Sequence, residues 1–103
     1  MSGVEATMTR HVIIRGRVQG VGFRYWTEQE ALARGLEGFV RNRRDGSVEA
    51  AFSGSAESVE DMLEACRRGP PGASVTAVDQ ISDNQTALKL QRPGERFSVL
   101  PTV

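Results

Sequence analysis

The sequence is poor in residues on which several kinds of protein depend. Among its 103 residues there is one cysteine, Cys66, and one histidine, His11. A lone cysteine excludes an internal disulfide framework and fits a reducing cytoplasm. One cysteine and one histidine also supply too few soft ligands for a zinc site. We therefore expect a cytoplasmic protein that works without a metal and without a cofactor.

Long apolar runs and a net charge are also missing. Without an apolar run no membrane span is expected, and residues 1–9 lack the apolar part of a secretory signal. The formal net charge is zero, which argues against nucleic acid as a partner. The apolar fraction of 39% and the charged fraction of 25% are typical of a globular domain. We expect one monomeric domain over residues 9–103, preceded by a flexible tail over residues 1–8.

The charges are nevertheless unevenly placed along the chain. Residues 10–44 contain eight arginines and three glutamates, whereas residues 45–66 contain six acids and no base. A basic segment favours an anionic ligand through its local field. Two solvated faces of opposite sign would produce the same pattern, so the charges alone leave both interpretations open.

The basic part contains a glycine-rich segment, Gly16–Arg24, with the sequence GRVQGVGFR. It connects a predicted strand to a predicted helix, and backbone N–H groups in such a turn can surround an anion. Arg24 falls in the first helical turn, where a cation is unfavourable on dipole grounds, and a bound oxyanion would account for its position. A flexible connection with a surface arginine is the alternative interpretation.

Periodicity predicts the order β-α-β-β-α-β with a short final strand. A β-α-β-β-α-β order indicates an α+β, ferredoxin-like sandwich, an antiparallel sheet with two helices on one face. The polar segment Ser82–Arg96 has no firm periodicity and is expected to form a long loop or a short irregular hairpin. The predicted strands are Thr9–Arg17, Leu36–Asn42, Ser47–Ser53, Ser74–Ile81 and Phe97–Leu100; the predicted helices are Phe23–Arg34 and a second one capped by Ser55 and ending at Arg68.

Four side chains have simple structural explanations. Cys66 completes the apolar stripe of the second helix and is expected to be a buried hydrophobe, not a nucleophile. His11 is expected to be a strand-face residue and not a base, because no neighbour in the sequence orients its imidazole. Phe23 and Trp26 are expected to anchor the core.

The expected strand topology makes Asn42 a candidate site residue. A β-α-β unit makes the first two strands parallel, so their carboxyl ends lie at one edge of the sheet. The glycine-rich segment leaves the first strand at that edge, and Asn42 ends the second strand there. Chain order therefore predicts that Arg24, the loop amides and Asn42 lie together. A turn residue whose side chain bonds its own backbone is the alternative for Asn42.

Gly16–Arg24 resembles the first signature of the acylphosphatase family. Gly38–Asn42, followed by Asp45–Val48, resembles the second signature at the expected separation, and Gly69–Ala73 resembles the loop after the family's second helix. The resemblance covers nearly the whole chain, from Thr9 to Val99. A departure is Arg34, at a position where leucine is frequent in the family.

The resemblance implies hydrolysis of the carboxyl–phosphate bond of a small acyl phosphate, which gives a carboxylate and inorganic phosphate. It implies Arg24 as the phosphate-binding arginine and Asn42 as the residue that positions the nucleophilic water. A carboxylate is a good leaving group, so positioning and phosphoryl-directed donors can supply the catalysis. The expected phosphate-binding groups are Arg24 and the backbone N–H groups of Gln19, Gly20, Val21, Gly22 and Phe23.

Three alternatives share the element order. An RNA-binding module of the RRM type needs aromatic residues on its first and third strands, where this chain has only Phe52. A non-catalytic anion-binding or regulatory domain would not need Arg24 and Asn42 together. A non-catalytic domain like the one at the N-terminus of a hydrogenase maturation protein is disfavoured by the short chain.

Overall fold

The computed structural model describes residues 7–82 and 85–103. The elements, in chain order, are β1 (Thr7–Arg17), α1 (Phe23–Ala33), β2 (Glu37–Asn42), β3 (Val48–Ser55), α2 (Ala56–Arg68), β4 (Ser74–Ser82), a 3-10 helix (Gln85–Leu90) and β5 (Phe97–Val99). The predicted order is confirmed. The predicted tail falls largely on residues 1–6, which lie outside the described residues; β1 begins at Thr7. None of the described helices is long and apolar enough to cross a membrane.

The five strands form one sheet in the order β4-β1-β3-β2-β5. β3 runs antiparallel to both β1 and β2, so β1 and β2 are parallel to each other, as predicted. β5, however, pairs with β2 in parallel. The prediction of an antiparallel sheet is therefore wrong at this edge, and the ferredoxin-like sheet is mixed. β4 and β5 occupy opposite edges, and a three-residue strand carries no sequence signal for its direction.

The main core lies between the sheet and the two helices. Along β1, alternate residues enter this core, whereas His11 faces the other side of the sheet. Ser55 caps α2, because its Oγ accepts the backbone N–H of Ser58 at 3.2 Å. Cys66 is completely buried, and burial raises the pKa of its thiol to about 12. Its prediction as a buried hydrophobe is confirmed. The buried residues of this core also include Val12, Ile14, Phe23, Val48, Phe52, Val59 and Met62.

The opposite face of the sheet carries a smaller apolar cluster. Over residues 85–90 the chain forms a 3-10 helix in place of the predicted loop or hairpin. Ala87 and Leu88 of this helix pack against Phe39, Ala51 and Leu100. Two apolar contacts are too few to create a visible period in a polar segment, so sequence patterning missed this element. Residues 83 and 84 lie outside the described part.

Arg34, the departure from the family pattern, joins the two helices. Its guanidinium donates from Nη1 to Glu30 Oε1 and from Nε to Asp61 Oδ2, each at 2.8 Å. The hydrogen bond with Glu30, supported by that with Asp61, raises the pKa of Arg34. An ion pair between α1 and α2 thus occupies the position where leucine is frequent.

Candidate active site

The loop between β1 and α1 begins later than its sequence suggests. Gly16 lies inside β1, and a Cβ there would come within 2.2 Å of Ser74 O in β4. Gly20 and Gly22 lie in the loop proper, and both have φ of 76°. A side chain is strained at such a positive φ, although nothing within 4 Å would obstruct a Cβ at either residue. The backbone conformation is therefore what requires glycine in the loop.

Helix α1 starts at this loop without a side chain that caps its N-terminus. Its N-cap is Gly22, which has no capping side chain, and its first turn carries no acidic residue. From Gly20 onward, the first backbone N–H that meets an acceptor among the described residues is that of Trp26, which donates to Gly22 O at 3.0 Å. The unpaired N–H groups before it carry the positive end of the helix dipole. This helix start is suited to an anion.

Arg24 lines the same region, and no acidic side chain among the described residues pairs with it. Within residues 7–82 and 85–103 its half-buried side chain forms neither an ion pair nor a hydrogen bond with protein. Several other arginines of the basic segment, in contrast, form ion pairs: Arg15 with Asp79, Arg34 with Asp61, and Arg41 with Glu49. The guanidinium of Arg24 therefore stays available to a ligand.

Asn42 is the last residue of β2. Its backbone carbonyl accepts the N–H of Val103 at 3.1 Å, but its side-chain amide has no protein partner in the described part of the chain. The alternative that this amide closes its own turn is wrong. Asp45 does so instead: its Oδ1 accepts from Ser47 Oγ at 2.6 Å and from Ser47 N at 3.0 Å. These hydrogen bonds from Ser47 lower the pKa of Asp45.

One cleft of about 260 Å³ brings these groups together. The predicted juxtaposition of the loop, Arg24 and Asn42 is confirmed, whereas their roles remain predictions. Of the predicted phosphate-binding residues, only Val21 does not line the cleft, and its side chain packs against the core. The lining residues are Val18, Gln19, Gly20, Gly22, Phe23, Arg24, Tyr25, Asn42 and Val99.

The cleft also contains side chains that sequence reasoning missed. Gln19 was predicted to act only through its backbone, yet its side-chain Nε2 donates to Arg43 O at 2.7 Å and to Ser47 O at 2.8 Å. Tyr25 lies at the rim with 68% of its surface exposed. Val99 comes from β5, whose pairing with β2 had no sequence signal. Of these, only the exposure of Tyr25 could have been anticipated, from the helical period of α1.

His11 lies on the face of the sheet away from the helices and does not line the cleft. It is a strand-face residue, as predicted, but the expectation that nothing orients it is wrong. Its Nε2 lies 2.6 Å from Oε2 of the buried Glu49, whose Oε1 accepts from Arg41 Nε at 2.8 Å. Burial alone would raise the pKa of Glu49, but the hydrogen bonds with Arg41 and His11 outweigh it and lower this pKa.

Sequence comparison shows the family of the chain. The family model described as Acylphosphatase matches residues 10–98. The chain belongs to the acylphosphatase family. An acylphosphatase of Nitrobacter hamburgensis is 59% identical over 96 residues, which cover 93% of this chain and 97% of the relative. One from Rhodopseudomonas palustris strain BisB18 is 55% identical over 98 residues, which cover 95% and 99% of the two chains.

Comparison with solved structures shows that the fold is also that of acylphosphatases. The crystal structure of an acylphosphatase from Bacillus subtilis superposes with a TM-score of 0.76 at 37% identity, covering 90% of this chain and 98% of that one. A full-length HypF matches with a TM-score of 0.74 at 21% identity, over 99% of this chain but only 13% of its own. The likeness to HypF shows the fold alone. Acylphosphatase family and fold together support hydrolysis of acyl phosphates by this chain.

Proposed function

We propose that the chain hydrolyses acyl phosphates by holding the phosphoryl group on the loop amides and Arg24 while Asn42 positions the attacking water. One observation carries this mechanism. A guanidinium and an amide without protein partners, as judged among the described residues, line one cleft beside an uncapped helix start. Unused hydrogen-bonding groups that converge from three elements indicate a ligand that supplies the missing acceptors and donors.

The phosphoryl group binds at the start of α1. Loop N–H groups and the positive end of the helix dipole stabilise its negative oxygens. The planar guanidinium of Arg24 binds two of those oxygens at once, which an ammonium group does not reproduce. Because phosphoryl transfer depends mainly on positioning and on electrostatic stabilisation, these donors supply the principal catalytic effect.

Asn42 holds the water on the far side of the phosphorus. Its carboxamide offers both an acceptor and donors, so it orients a water for in-line attack, and it does not titrate near neutral pH. A bond forms between the water oxygen and phosphorus, the bond from phosphorus to the carboxyl oxygen breaks, and the carboxylate leaves with its electron pair. A water proton passes to a phosphoryl oxygen, and the products are a carboxylate and inorganic phosphate.

The proposal is tested by hydrolysis of benzoyl phosphate, followed by its ultraviolet absorbance. We expect turnover in buffer containing a chelator, with inorganic phosphate as a competitive inhibitor, because phosphate occupies the same cradle. Phosphate binding without any hydrolysis would overturn the proposal in favour of the non-catalytic, anion-binding domain.

A further inference from the structure

The side chain of Gln19 reaches from the loop to the turn that follows Asn42. Its Nε2 donates one hydrogen to Arg43 O at 2.7 Å and the other to Ser47 O at 2.8 Å. Ser47 O also accepts the backbone N–H of Arg43, at 2.9 Å. Both amide hydrogens are thus used at the point where β2 ends and the β2–β3 turn begins.

These contacts join the two halves of the cleft. The phosphate donors belong to the loop and to α1, whereas Asn42 belongs to β2, one peptide bond away from Arg43. Among the described residues, the Gln19 side chain makes the hydrogen bonds that connect residues 18–22 to residues 42–48. A loop that moves away from this turn would change the separation between a bound phosphorus atom and a water held by Asn42.

We propose that Gln19 is a positioning residue whose side-chain amide sets the distance between the phosphate loop and Asn42. This inference rests on the proposed hydrolysis. The proposed mechanism uses only the backbone N–H of Gln19, whereas the inference gives a role to its side chain. The residue type fits the role, because a primary amide donates two hydrogens to two carbonyl oxygens. A glutamate of the same shape has none to give and would repel both oxygens.

Loss of these bonds should affect turnover more than phosphate binding. The loop conformation is local, since Gly20 and Gly22 adopt their positive φ within the loop itself. The loop amides and Arg24 therefore still hold phosphate when the link to the turn is absent. Turnover depends on the relative placement of water and phosphorus, and a misplacement of about 1 Å costs on the order of 100-fold.

The experiment compares Gln19→Glu and Gln19→Ala with wild type by kcat and by the inhibition constant of inorganic phosphate. Gln80→Glu is the matched control, because Gln80 is exposed on β4, at the edge of the sheet opposite β5. We expect kcat to fall on the order of 100-fold for Gln19→Glu and about 10-fold for Gln19→Ala. The phosphate inhibition constant should stay within about 3-fold of wild type, and Gln80→Glu should behave as wild type.

Several results would overturn the inference. If both variants keep wild-type kcat, or if phosphate inhibition weakens as much as kcat falls, Gln19 does not act by positioning. Amide hydrogen exchange supplies a readout independent of activity: the Arg43 N–H should exchange faster in Gln19→Ala, and an unchanged rate also overturns the inference. If the wild-type protein hydrolyses no acyl phosphate, the proposed function is contradicted. If the wild type is active and both Gln19 variants are equally active, only the role of Gln19 is contradicted.

Discussion

Arg24 and Asn42 line the same cleft, the former from the first turn of α1 and the latter from the last residue of β2. β3 lies between the strands β1 and β2 that lead to them, so no ladder hydrogen bond joins the two segments. Their proximity follows from the parallel direction of β1 and β2, whose carboxyl ends reach the same edge. The separate roles proposed for the two side chains can therefore be tested one at a time.

Arg24→Lys should retain the charge and lose most of the activity. An ammonium group is a point charge and cannot bind two phosphoryl oxygens in the plane of a guanidinium, so we expect kcat/KM to fall on the order of 100-fold. Steady-state hydrolysis of benzoyl phosphate measures this, with Arg68→Lys, at the exposed end of α2, as control. Near-normal turnover together with normal phosphate inhibition in Arg24→Lys would show that Arg24 does not clamp the phosphoryl group.

Asn42→Ala should abolish turnover and leave phosphate binding largely intact. The amide is assigned to the water and not to the phosphoryl group, so its loss removes the nucleophile's orientation alone. Turnover and phosphate affinity, the latter from calorimetric titration, are measured on the same protein. A phosphate affinity that drops as far as turnover would make Asn42 a ligand contact or a structural residue.

Gly22→Ala should destabilise the protein and lower its activity. The φ of Gly22 is 76° and a Cβ would meet no atom within 4 Å, so the cost is backbone strain of about 1–2 kcal/mol. Thermal unfolding measures the loss. Gly94→Ala is the matched control, because Gly94 has φ of 83° with equally open surroundings but does not line the cleft. We expect the two variants to lose equal stability, and only Gly22→Ala to show reduced turnover. Normal turnover in Gly22→Ala would mean that catalysis does not need this loop conformation.

Glu49→Gln should lose stability in a pH-dependent manner. The pKa of Glu49 is lowered in the folded protein, so its ionised form adds stability that is complete above the unfolded pKa, about 4.3, and is lost as the pH falls through the folded value. We expect the variant to be less stable by about 1–3 kcal/mol near neutral pH. Urea unfolding at a series of pH values should show this difference shrinking in acid; a constant difference would contradict the assignment.

Cys66 should resist thiol reagents until the protein unfolds. Its side chain is completely buried and burial raises its pKa to about 12, so almost no thiolate exists at neutral pH. Disulfide-exchange reagents should react slowly with native protein and quickly in denaturant. Cys66→Ala should remain active while losing about 1 kcal/mol of stability through the small cavity left behind. Rapid labelling of native protein, or inactivity of the variant, would contradict this prediction.

Much of the fold could be predicted because its signals are local. The stripe of α2 and the Ser55 cap lie within a few residues of one another, and the alternation along β1 is visible in its own sequence. The juxtaposition of Arg24 with Asn42 needed only chain order and the parallel direction of two strands. The direction of β5 and the 3-10 helix at Gln85–Leu90 were not predictable, because each depends on packing against distant residues.

The sequence by itself determined the element order, the two signature segments and the glycine positions of the loop, since these depend on near neighbours. Only the tertiary structure decided which side chains pair with groups that are distant along the chain, inside the cleft and outside it. Gln19 bonds to carbonyl groups 24 and 28 positions away, and His11 pairs with Glu49 across 38 positions. Such partners are set by strand register and by the approach of the loop to the β2–β3 turn. A local sequence pattern predicts neither the register nor this approach, because a hydrogen bond depends on the distance between atoms and not on their separation along the chain.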